Sequence, residues 1–117
     1  MTSSIDVIKL LLERGADPNR EDRYGETALH KAAVFDKTNA LKLLLERGAD
    51  PNKANGLKDT PLHSGASRGR RKIVRLLLDK GAEPNKEGAY RQTPRKLAIK
   101  YGHNDIVKMI DNWKTEA

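Results

Sequence analysis

The sequence "GADPN" stands at Gly15–Asn19 and again at Gly48–Asn52, and "GAEPN" stands at Gly81–Asn85. Each step is 33 residues, and two further features keep the same step. "TALH" (Thr27–His30), "TPLH" (Thr60–His63) and "TPRK" (Thr93–Lys96) form one series. The apolar runs "VIKLLL" (7–12), "ALKLLL" (40–45), "IVRLLL" (73–78) and "IVKMID" (106–111) form the other. Three features in one register are the signature of a repeat architecture, so the repeat is read before any single element.

Each unit reads as a turn and two helices. The hydroxyl of Thr27 or Thr60 can cap a first helix, and Pro61 and Pro94 suit the first helical position. The second helix carries apolar residues at spacings of one, three and four, with Lys9, Lys42, Arg75 and Lys108 on its open side. Gly15, Gly48 and Gly81 stand where that helix must stop and the backbone turns left-handed. The Asp-Pro or Glu-Pro that follows forces an extended exit. A unit this short cannot bury its own helices, so stacking on its neighbours must do it.

These residues resemble the ankyrin repeat family: T-P-L-H, then L-L-L-x-x-G-A-D-P-N, at a 33-residue step over essentially the whole chain. The resemblance implies an all-α repeat solenoid of antiparallel helix pairs with hairpin fingers at about a right angle to them. It implies a concave surface lined by fingers and first helices, and a non-catalytic protein-binding role. The units expected are a partial repeat at 1–19, repeats at 20–52 and 53–85, and a C-terminal capping repeat at 86–117. Residues 1–19 supply a second helix without a first, consistent with a fragment or an engineered truncation. Asp111 replaces Leu12, Leu45 and Leu78 of the other units, a polar residue suited to an end cap, and Trp113 follows it. Arg95 stands at the normally inward position of Leu29 and Leu62, and Gly65 stands where Ala32 does. Lys58 and Arg91 replace the finger glycine represented by Gly25, so Asn55-Gly56 is expected to make a tight primed turn one register earlier.

The chain has 117 residues, 37% of them apolar and 33% charged. Its net charge of +7 is uneven: residues 1–52 carry eight basic and nine acidic side chains, residues 53–117 fifteen and seven. That asymmetry suits an acidic partner. There is no cysteine, which excludes disulfides and thiolate metal sites and is compatible with a reducing, intracellular setting. No apolar run reaches membrane-spanning length, and no secretory signal is evident at residues 1–4.

By the resemblance, the contact positions lie on the fingers and at the ends of the first helices. They are Glu21, Arg23, Tyr24, Glu26, Val34 and Phe35 in one unit, then Ala54, Gly56, Leu57, Asp59, Ser67 and Arg68 in the next. The last unit gives Glu87, Ala89, Tyr90, Gln92, Lys100 and Tyr101. Four of the five aromatics, Tyr24, Phe35, Tyr90 and Tyr101, fall on these positions, and Leu57 adds apolar area between them. Aromatics are the commonest anchors of interfaces, though half-buried rings can equally pack on their own helices. Helices packed ~8–10 Å apart spread this face over roughly 30 Å, the reach of about nine extended residues.

The basic stretch "SRGRRK" (Ser67–Lys72) ends one helix with Arg68 and opens the next with Arg71 and Lys72. Lys72 stands where Asp6, Asn39 and Asp105 stand in the other units, against the preference of a helix N-terminus for negative charge. Arg70, Arg71 and Lys72 read as a basic rim for acidic groups, a solvated loop, or a nuclear-import signal. His30 and His63 are equivalent positions in neighbouring units, and two histidines alone make a poor metal site. His63-Ser64 lacks the acid that a nucleophilic constellation requires, and there is no Walker loop or dinucleotide fingerprint. No cofactor, metal or enzyme activity is expected. Two alternatives to an acidic protein partner stay open: nucleic-acid binding through the basic half, and a structural scaffold or engineered stack. That scaffold could self-associate through the apolar N-terminal face around Val7–Leu12.

Overall fold

The computed structural model describes residues 4–113. The outer margins of the expected partial and capping units, residues 1–3 and 114–117, lie outside the described residues. Among the described residues seven α-helices follow in order: α1 (Ser4–Glu13), α2 (Ala28–Val34), α3 (Thr38–Glu46), α4 (Pro61–Ser67), α5 (Arg71–Asp79), α6 (Pro94–Lys100) and α7 (Asn104–Asn112), with a 3-10 turn at Ala89–Arg91 before α6. The short helices α2, α4 and α6 stack in one row, and α1, α3, α5 and α7 in a second. Among the described residues there is no strand.

The core is the seam between the two rows. Leu29, Leu62, Ala33, Ala66 and Ala98 of the short helices are fully buried against Leu41, Ile73, Val74, Leu77 and Ile106 of the long ones. Small residues on one side and branched residues on the other let the rows approach closely. Burying one such leucine or isoleucine contributes roughly 1.5–3 kcal/mol, and that gain substitutes for the internal core a single unit lacks. The helices stop where expected: Gly15, Gly48 and Gly81 all take φ between 90° and 94°. The N–H of Ala16, Ala49 and Ala82 then closes back on Leu11, Leu44 and Leu77.

Two departures from the apolar pattern turn out to be one feature. Arg95 and Asp111 pair with each other, Nε to Oδ1 at 2.6 Å and Nη2 to Oδ2 at 3.1 Å. Both are exposed. The guanidinium holds the Asp111 carboxyl below the ordinary carboxylate range. Arg95, at a normally inward register, is therefore satisfied by Asp111, at the register of Leu12, Leu45 and Leu78. Trp113 packs, half-buried, against the core.

The finger reading requires one correction. Asn55-Gly56 does not form a primed turn, because Gly56 lacks the left-handed backbone such a turn demands. Lys58 itself adopts φ 70°, close to the 76° of Gly25, so the second finger keeps the first finger's register. Asn55 makes this possible: its Oδ1 accepts from the N–H of Leu57 and of Asp59.

Candidate protein-binding face

Each finger is a short loop shaped by its first residue. Asp22 Oδ1 accepts from Tyr24 N (2.9 Å) and Glu26 N (3.0 Å), repeating the pattern at Asn55. The Tyr24 N–H, against a smaller opposing effect of burial, holds the Asp22 carboxyl below its usual range, with help from Glu26 and Lys31. At the third finger the position is Gly88, and no side chain is available for that role. A Cβ there would run into the Asp59 carboxylate and the His63 ring. Asp59 takes over the role from the neighbouring finger, its Oδ1 accepting from Ala89 N. Tyr90 and Arg91 are both left-handed, φ 56° and 59°, an arrangement that L-residues resist.

This backbone points one apolar side chain outward from each tip at the same register. Tyr24 and Leu57 are each 67% exposed and Tyr90 is 95% exposed. The first two tips are joined by a hydrogen bond from Gly56 N to Tyr24 O, 2.8 Å. An open groove of about 660 Å³ runs between them, lined by Arg23, Tyr24, Glu26, Asn55 and Leu57.

The second row of expected contact residues sits at the carboxyl ends of the short helices. Phe35, Arg68 and Tyr101 are the terminal caps of α2, α4 and α6, one register apart, and all three are exposed. Two rings carry their own cation: the Arg23 guanidinium carbon lies 5.8 Å from the Tyr24 centroid, and Lys100 Nζ lies 5.4 Å from that of Tyr101. The rings are therefore partly occupied from within, but none is buried.

The basic loop divides in two. Arg70 Nη2 donates to Val34 O at 2.9 Å, and Nη1 lies 4.0 Å from Asp36. Arg71 reaches Asp105 at 3.4 Å. His103, one unit after Arg70, repeats its role by donating through Nε2 to Ser67 O at 3.1 Å. Its ring leaves no room for a side chain at Gly69, where an added Cβ would lie 2.7 Å from it. Arg70 and Arg71 fasten this loop to the layers on either side. Arg68 and Lys72 form no ion pair among the described residues. The local cost of a lysine at the start of α5 thus has no structural compensation in view.

His30 and His63 are buried, and their ring nitrogens are occupied. Nδ1 of each accepts from the N–H of the preceding Thr27 or Thr60, 3.0 Å in both cases. That fixes the tautomer, so Nε2 donates onward to Asp59 O (2.8 Å) and Gln92 O (3.0 Å) in the next unit. Burial pushes the His63 pKa down, against the pull of Asp59. With both nitrogens engaged, neither ring is available as a base or a ligand. Among the described residues no group of three or more His, Cys, Asp or Glu side chains could hold a metal ion. Nor is any helix long and apolar enough to cross a membrane.

Sequence reasoning missed a third set of cross-ties. Asn19 Nδ2 donates to Gly48 O and its Oδ1 accepts from Asp50 N. Asn52 does the same with Gly81 O and Glu83 N. The invariant spacing of the asparagine in "GADPN" was the available signal.

Stacked helix pairs with projecting fingers and tie residues at a fixed register define a helical repeat solenoid. Residues 1–88 and 54–112 match the ankyrin repeats family, in three copies, and the chain belongs to it. No curated protein matches the chain. Ankyrin repeats generally mediate protein–protein interaction and are typically non-catalytic.

Proposed function

We propose that this chain binds an acidic segment of a partner protein across its fingertips and the ends of its short helices. The observation that carries the reading is the outward row Tyr24, Leu57 and Tyr90, one apolar side chain per finger at a single register. Left alone in water, such a row has no folding role; exposed aromatic and aliphatic anchors in line are the usual energetic centre of an interface. Arg23, Arg68 and Lys100 lie on the same rows without an anionic partner among the described residues, which supports an acidic ligand. In the basic rim of Arg70, Arg71 and Lys72, Arg70 also bonds Val34 O and Arg71 pairs with Asp105 at the exposed surface, so Lys72 is the rim residue with no ion pair among the described residues.

The test is selection from a displayed library of random nine-residue peptides, followed by affinity measurements on variants. Acidic sequences with at least one large apolar residue are expected. Tyr24→Ala with Tyr90→Ala is expected to weaken them about 30-fold or more, the loss of an anchor of roughly 2 kcal/mol. Selected ligands without acidic bias, or indifferent to that double substitution, would refute the reading. Affinity for random nucleic acid that survives the substitution and falls steeply with salt would favour the alternative.

A further inference from the structure

The short helices α2, α4 and α6 end in the same way. Their caps Phe35, Arg68 and Tyr101 take φ −96°, −97° and −99°, with ψ 10°, 0° and 9°. Each cap N–H closes on the carbonyl four residues back: Lys31 O, Ser64 O and Leu97 O. Equal backbones on stacked helices leave the three residues in a regular row, one per layer. The fingertip row is less regular, since Tyr90 is left-handed where Tyr24 and Leu57 are not.

The chemistry along this row is ring, guanidinium, ring. Phe35 and Tyr101 are more than half exposed. Arg68 between them is exposed and has no ion pair among the described residues. Its chain neighbours Ser67 and Gly69 are uncharged, and Lys100 beside Tyr101 adds a second cation. Asp36, the acid next to Phe35, lies 4.0 Å from Arg70. The middle and last layers therefore favour an anion, and both ends of the row favour apolar groups.

Spacing selects the conformation of what lies on it. Packed helices stand ~8–10 Å apart, so a ligand crossing the layers must repeat on one face at that step. A polyproline II segment does so every three residues, about 9.3 Å. A β-strand repeats on one face after roughly 6.6 Å and an α-helix after about 5.4 Å. Both would set side chains between the layers, where the row offers none. Aromatic surfaces are also the ones on which polyproline II segments dock.

We propose that the ligand of this face is a proline-containing acidic segment in the polyproline II conformation, read at every third residue. An apolar residue rests on Phe35, a carboxylate three residues on meets Arg68, and a second apolar residue three further on rests on Tyr101. The guanidinium can take that carboxylate through two parallel hydrogen bonds. Of the two remaining faces of the segment, one meets the fingertips and the other meets water. This inference rests on the acidic-ligand reading above and adds to it a register and a conformation.

The probe is the acetylated, amidated peptide Leu-Pro-Pro-Glu-Pro-Pro-Leu, whose side-chain order is the same in either direction. It is titrated into the isotope-labelled full chain and followed by amide chemical shifts. Saturable shifts at Phe35, Arg68 and Tyr101 are expected. The isomer Leu-Pro-Glu-Pro-Pro-Pro-Leu keeps the composition and both leucines but moves the glutamate by one residue, and should bind at least tenfold more weakly. Arg68→Glu should weaken the first peptide by a similar factor and instead accept Leu-Pro-Pro-Lys-Pro-Pro-Leu, with its dispersed amide spectrum checking the fold. Equal affinity for the two isomers, or failure of the charge swap, would overturn the three-residue register while leaving an acidic ligand on this face. Library-selected acidic peptides that bind where Leu-Pro-Pro-Glu-Pro-Pro-Leu does not would have the same consequence. Absence of binding by any acidic peptide would remove the wider reading and this one with it.

Discussion

Replacing His63 by alanine tests whether the buried histidine row holds neighbouring layers together. The ring is 1% exposed and is engaged at both nitrogens, with Thr60 N–H at 3.0 Å and Gln92 O at 3.0 Å. Thr60 Oγ1, at 2.9 Å, shares the single lone pair of Nδ1, so it is not counted as a full bond. Two net hydrogen bonds are worth about 1–3 kcal/mol, and the void left by a truncated ring adds about 1–2 kcal/mol. The expected loss is about 3 kcal/mol, a large share of the ~5–15 kcal/mol of an ordinary domain. The fold supplies its own control. Lys96 holds the same register in α6, is exposed, and uses only its backbone N–H, which donates to Thr93 Oγ1. Lys96→Ala should stay within about 0.5 kcal/mol. Urea unfolding at pH 7.5 measures both, with an unchanged m-value as the condition for comparing midpoints. A His63→Ala loss under about 1 kcal/mol, or an equal loss in Lys96→Ala, would refute the reasoning.

Acid should act through the same ring. Burial lowers the His63 pKa, and unfolding returns it toward 6.5, so the unfolded chain binds the proton more readily. Its contribution is complete above about pH 6.5 and declines as the pH falls below that value. The loss of stability between pH 7.5 and 5.5 should therefore shrink in His63→Gln; Asp22 and Asp111, held below their usual 3.8, stay ionised throughout that window. Lys58→Gly should raise stability by about 0.5–1 kcal/mol in urea unfolding, since relief of left-handed strain exceeds the entropy glycine adds to the unfolded chain. Lys58→Ala, which keeps a Cβ, should give no gain. Arg95→Leu with Asp111→Leu restores the apolar pattern on an exposed face and should produce concentration-dependent association in sedimentation, where the parent chain stays smaller.

The 33-residue register made the helix pairs and their glycine stops legible, and it set His30 and His63 at equivalent positions, because each is a local device repeated at a fixed distance; the burial of the two rings was not read from it. It also placed Tyr24, Leu57, Tyr90, Phe35, Arg68 and Tyr101 on two exposed rows. Arg95 and Asp111 were visible as separate departures, but their pairing depends on how α6 meets α7, which no spacing along the chain encodes. Arg70 was hidden inside a run of like charges, where composition suggests a partner and the fold supplies Val34 O instead. The finger of Lys58 misled for a different reason. Propensity placed the turn at Asn55-Gly56, whereas the Asn55 side chain and the neighbouring finger impose the register of Asp22–Glu26 and strain a lysine to keep it.

The three kinds of cross-tie are not shared evenly among the seams. Between the α2–α3 and α4–α5 pairs, His30, Asn52 and Arg70 all cross. Between α4–α5 and α6–α7, His63 and His103 cross, with Asp59 and Arg71 beside them. At the α1 seam Asn19 crosses to Gly48 and Asp50, and among the described residues no buried histidine crosses it. Pulled at its two ends, the molecule is a zipper with graded teeth. It would part first along α1, at low force and reversibly, while the two later seams hold as one block.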